Sequence, residues 1–107
     1  MSRRVKFGKS DPVIEKILEV MGEYEQDHRK AKIDVYRQND VAIRIRVVDP
    51  DFTGMDLVER DTLLWKYLDK LPDEVISEIT LLLLFNPKET KKSFANMEFD
   101  NPVPTML

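Results

Sequence analysis

The sequence predicts an α+β fold. It would have a three-stranded sheet with helices on one face, in the order helix, strand, strand, helix, short turn, strand, helix. Three observations predict it. Two segments repeat apolar residues at the helical period, two adjoining segments alternate apolar with polar residues, and an apolar run, Ile79 to Phe85, follows the second helical segment.

Each element has a local cause. Ser10-Asp11-Pro12 reads as a helix start, with a capping side chain followed by a proline whose missing N–H costs nothing in the first turn. Val13, Ile14, Ile17, Leu18, Met21 and Tyr24 then fall on one stripe. The helix is expected to end near Asp27, where His28-Arg29-Lys30 offset the negative end of its dipole. Residues 31–38 and 41–48 alternate as half-buried strands, with Ile33, Val35, Val41, Ile43, Ile45 and Val47 turned inward. Gln38-Asn39-Asp40 tolerate positive φ, so a hairpin is expected between them.

Asp49 to Gly54 breaks the second strand, and Thr53 with Asp56 resembles a short capping box. A helix is expected over 55–70, burying Leu57, Val58, Leu64, Trp65 and Leu68. Leu71-Pro72-Asp73 stops it, and 73–77 is one helical turn or a loop. Ile79 to Phe85 is nearly all apolar and is expected to be a central strand covered on both faces. A last helix is expected over 87–96. The domain organisation that follows is a basic mobile arm at 1–10, one α+β domain at 11–98 and an irregular tail at 99–107.

Composition limits the chemistry. The 107 residues suffice for one domain. There is no cysteine, which excludes disulfides, thiolate ligands and thiol nucleophiles in this chain, and there is one histidine, His28. His28 is expected at a helix terminus rather than in a site. Asp49, Asp51, Asp56, Glu59 and Asp61 crowd the start of the second helix, where the dipole favours acids without any metal. No metal, cofactor or catalytic residue is expected, and the chain is expected not to be an enzyme. It has no apolar run long enough to span a bilayer and no leader-like apolar stretch, so a cytoplasmic location is expected.

Charge is uneven. Arg3, Arg4, Lys6 and Lys9 sit in the first ten residues without an acid. Arg29, Lys30, Lys32, Arg37, Arg44 and Arg46 dominate residues 28–46. A basic hairpin face is expected to show Lys32, Tyr36, Arg44 and Arg46 to an acidic partner.

Several residues together resemble a known family. Phe52-Thr53-Gly54, then Arg60, the apolar strand opening at Glu78-Ile79, and Pro87-Lys88-Glu89 look like the BolA family, as does the element order over residues 11–96. The resemblance implies a fold similar to the type II KH domain. It also implies pairing with a monothiol glutaredoxin through a shared iron–sulfur cluster. Where the family carries histidines, this chain has Asp61 and Glu78, hard oxygen donors in place of imidazoles.

The expected function is therefore a non-enzymatic, BolA-like interaction or regulatory domain that has lost the cluster ligation and acts through a protein partner. The expected contacts are Lys32, Tyr36, Arg44, Arg46, Phe52, Gly54, Arg60, Asp61 and Glu78. The alternative is a nucleic-acid-binding regulator that uses the basic hairpin face. It must reconcile an isoelectric point of about 5.2 with the absence of a G-x-x-G clamp.

Overall fold

A computed structural model describes residues 3–102. The fold is α+β, with four strands and four helices among the described residues: β1 (Arg3–Val5), α1 (Pro12–Asp27), β2 (Lys32–Asn39), β3 (Ala42–Val48), α2 (Leu57–Leu68), α3 (Asp73–Ile76), β4 (Ile79–Phe85) and α4 (Phe94–Asp100). The sheet runs β1-β2-β3-β4. Its outer pairs are parallel and its central pair is the antiparallel hairpin.

The fourth strand corrects the expectation of a mobile arm. Arg3 to Val5 pair in parallel with Ile33 to Val35. Successive strand residues point to opposite faces, so Arg3 and Arg4 meet partners on both sides of the sheet. Arg3 lies on α1, donating to Glu25 at 3.1 Å and to the Leu18 carbonyl at 2.8 Å. Gly22 makes room for it, since a Cβ there would stand 2.7 Å from the guanidinium. Arg4 pairs with Asp34 on the other face.

One sheet face is apolar. Ile33, Val35, Ile45 and Val47 are fully buried, and they cluster with Ile14, Ile17 and Met21 of α1 and Leu64 and Leu68 of α2. The start of α1 follows expectation: Asp11 accepts from the Ile14 N–H, and Pro12 opens the helix. The N-cap of α2 is Asp56, three residues after Thr53. Asp56 and Glu59 form the capping box, while Thr53 ends a 3-10 turn at Pro50–Phe52. Gly54 takes φ +85°, a region L side chains avoid. Residues 73–77 resolve into one helical turn, α3.

The hairpin forms without the positive φ expected of its turn residues. The register shifts between Arg37 and Asn39, and the Asn39 side chain accepts from the Val41 N–H. That side-chain bond replaces a left-handed backbone turn.

The other sheet face departs furthest from expectation. The last helix does not run over 87–96. Glu89–Lys91 is a 3-10 turn, and α4 follows at Phe94–Asp100. Phe99, placed by the sequence in an irregular tail, is fully buried. It packs edge-on against Tyr36 at 4.7 Å, and its carbonyl accepts from the Tyr36 hydroxyl. The tail beyond Pro102 lies outside the described residues. The hairpin face expected to show bare arginines is thus covered. Arg44 pairs with Glu98 at 2.6 Å. Arg46 pairs with Asp34, reaches Asp100 at 2.7 Å and Asn96 at 2.8 Å, and stands 4.7 Å over the Phe99 ring. Each arginine is neutralised by acids that α4 brings, and that charge match selects the docking of a seven-residue helix.

The sequence alone suggests that Arg44 and Arg46 can be replaced with little loss of stability. Burial reverses this for Arg46. Arg46→Ala removes the cation that Asp34 and Asp100 share and leaves each with one partner, Arg4 and Lys6, and the expected cost is up to about 3 kcal/mol. A lowered urea midpoint with a nearly unchanged slope is the expected observation.

Candidate functional site

The residues expected to form one contact surface lie in three places. Tyr36, Arg44 and Arg46 are under α4, with Lys32 exposed at the start of β2. Glu78, at the start of β4, is held by Arg37 at 2.9 Å, and Arg37 also binds Asp11 at 2.7 Å. Phe52, Gly54, Arg60 and Asp61 gather around the first turn of α2.

Arg60 organises that third group. It is only 5% exposed, and its Nε donates to the Met55 carbonyl at 3.0 Å. Its Nη1 donates to the Leu84 carbonyl at 3.1 Å and to Glu89 at 2.6 Å. The guanidinium stands 5.5 Å over the Phe52 ring, which is fully buried. Glu89 in turn accepts from the Asn86 N–H at 2.7 Å. Phe52, Arg60 and Glu89, three of the residues that carry the resemblance, therefore meet in one knot at the end of β4.

Arg60 points inward with Leu64 and Leu68, in place of the Leu57 and Val58 that the sequence put on that stripe. Leu57 and Val58 point outward and are each 75% exposed, contrary to the expectation that they join the core stripe. The cause is the Arg60 knot, which fixes the rotation of the first turn. Beside them lies β4. Among the described residues it is an edge strand, paired with β3 alone, and not the doubly covered central strand its composition suggested. The Phe85 carbonyl accepts from the Asp49 N–H just after β3, while the Leu84 carbonyl faces Arg60. Alternation along the strand turns the N–H and C=O groups of Leu82 and Leu84 to the open edge. Leu57, Val58, Asp61, Leu82 and Leu84 line a groove of about 380 Å³ there. A second hollow of about 500 Å³ adjoins it, between Leu57 and Arg60 on one side and Lys88 and Lys92 on the other.

Leu57 and Val58 are exposed apolar residues that sequence reasoning placed in the core. The available signal was Asp61, which shares their helix face and is itself exposed. A further hollow, about 650 Å³, lies elsewhere, along the charged and amide residues Glu25, Gln26, Asp27 and Arg29 at the end of α1.

One group among the described residues gathers possible metal donors. His28, Asp49 and Asp51 bring donor atoms within 4.8 Å of one another. Their bonds have a structural account. His28 caps α1, stacks on Tyr24 at 4.3 Å and binds Asp51 through Nδ1 at 2.7 Å. Asp49, fully buried, accepts from the Tyr24 hydroxyl at 2.6 Å and from the Asp51 N–H at 2.9 Å. Burial and the Asp49 carboxylate push the Tyr24 hydroxyl far above its ordinary range. Nearby, burial and the bond to Asp27 push Tyr67 up to about 12, and its hydroxyl is engaged. The cluster ties α1 to the turn that precedes α2.

No family model, curated protein or solved structure matches this chain.

Three carboxyls sit below their ordinary range. The Arg60 hydrogen bond lowers Glu89, and the Arg37 hydrogen bond lowers Asp11. Burial opposes ionisation of Asp100, but Lys6 and Arg46 outweigh it. The folded state therefore binds these protons less readily than the unfolded chain. Their stabilisation is present above the ordinary carboxylate range and is lost as pH falls below about 4. Urea midpoints measured down an acid series are expected to hold through neutral pH and decline across that window.

Proposed function

We propose that this chain is a non-enzymatic, BolA-like interaction domain that acts through a protein partner seated along α2 and β4. The observation that carries this reading is the pairing of Leu57 and Val58, each 75% exposed, with an uncharged strand edge. A strand from a partner gains main-chain hydrogen bonds at such an edge and places alternate side chains in the flanking groove. The Arg60 knot supports the family likeness, because the resembling residues act together in holding α2 over β4.

The iron–sulfur ligation of the family does not fit the residues present. Asp61 lines the groove and Glu78 is engaged by Arg37. Both are oxygen donors, poorly suited to a cluster that favours thiolate or imidazole. A monothiol glutaredoxin would have to bind without a ligand from these two positions. The nucleic-acid alternative draws less support, since the arginines it would use are matched by Asp34, Glu98 and Asp100.

Val58→Asp should leave stability within about 0.5 kcal/mol, because the side chain is exposed. In a pull-down from lysate, wild type is expected to retain a protein that Val58→Asp loses, while Arg44→Ala keeps it. Equal retention by wild type and Val58→Asp places the contact elsewhere. Retention of RNA or DNA that salt washes away favours the nucleic-acid alternative.

A further inference from the structure

We propose that the partner at this edge is a second copy of the chain, with the two β4 strands paired antiparallel about a two-fold axis near Leu82. The inference rests on the reading of the edge as an interaction surface, and it names the occupant.

The strand itself is the first ground. Ile79 to Phe85 has no charged residue, no proline and no glycine. Free edges of soluble proteins usually carry charges, prolines or bulges that prevent pairing. Among the described residues the edge is interrupted at its two ends, by a register shift that leaves Thr80 unmatched against β3 and by Arg60 on the Leu84 carbonyl, and Leu82 lies between them. The N–H and C=O of Leu82 can bond to those of the second Leu82, as an antiparallel hydrogen-bonded pair requires.

Charge complementarity is the second ground, and it favours a copy of this chain over an unrelated strand. Asp73 and Glu74 are exposed on α3, just before β4 begins. Lys88 and Lys92 are exposed just after it ends. Among the described residues none of these four makes an ion pair. A two-fold axis through the strand centre brings the acidic start of each β4 to the basic end of the other. The contact is then made twice by the same residues, as an isologous interface demands. A parallel arrangement would set like charges against each other.

The third ground is the overhang of α2. An axis perpendicular to the sheet keeps both α2 helices on one side of the joined eight-stranded sheet. Leu57 and Val58 of each copy then cover the new strand pair, which removes the exposed apolar groove from water.

Sedimentation velocity of the full chain over a concentration series tests this. The wild-type mass is expected to rise from 12.6 kDa toward twice that value. Lys88→Glu/Lys92→Glu is expected to weaken the dimer by about tenfold or more at low salt, through like-charge contacts with Asp73 and Glu74. Adding Asp73→Lys/Glu74→Lys to that variant is expected to restore it. All four positions are exposed, and circular dichroism confirms that the variants fold. A wild type that stays at 12.6 kDa at every concentration overturns the proposal. So does a dimer indifferent to the charge variants. A monomeric wild type that still captures a protein lost in Val58→Asp overturns self-pairing and leaves the interaction-domain reading standing.

Discussion

The buried guanidinium of Arg60 is the contact on which the rest of the site depends. It joins the turn before α2, the end of β4 and the Glu89 turn, and it lies over Phe52 in the core. A buried arginine is tolerated only when its donors find acceptors, and here two carbonyls and a carboxylate supply them. By turning inward, Arg60 sets the rotation of the first turn of α2. That rotation puts Leu57 and Val58 in water beside the open strand. The apolar groove is thus a consequence of satisfying one charge in the interior.

The two sheet faces are closed by different physics. α1 and α2 cover the first by burying apolar side chains of both hairpin strands. The second carries Asp34, Arg44 and Arg46, and an apolar helix could not cover it without stranding charge. α4 closes it with Asn96, Glu98 and Asp100 aimed at the arginines and Phe99 against Tyr36. β1 adds Arg4 to the same network through Asp34. With both faces covered, the remaining accessible main-chain surface of the sheet at this side is the β4 edge.

Much of the fold was legible in the sequence, because its signals are local. The cap at Asp11, the stripe from Ile14 to Tyr24, the alternation of Ile33, Val35, Ile43 and Ile45, and the break at Asp49 to Gly54 follow from neighbours in the chain. What was not legible depended on distant partners. Arg3 to Val5 are a strand because Glu25 and Asp34 await Arg3 and Arg4. Phe94 to Asp100 dock because of arginines about fifty residues earlier in the chain. β4 looked central because apolar runs usually are, yet among the described residues no further strand pairs with it. The site divided likewise: Arg60 and Asp61 were found through motif spacing, whereas Leu57 and Val58 were hidden by the same periodicity that identified their helix.

In the proposed dimer, the edge groups of Leu82 and Leu84 are closed by a second β4. Amide hydrogen exchange reads those two N–H groups directly. Their protection should rise with protein concentration while that of β2 stays constant. Rapid exchange at Leu82 and Leu84 at every concentration would contradict the account.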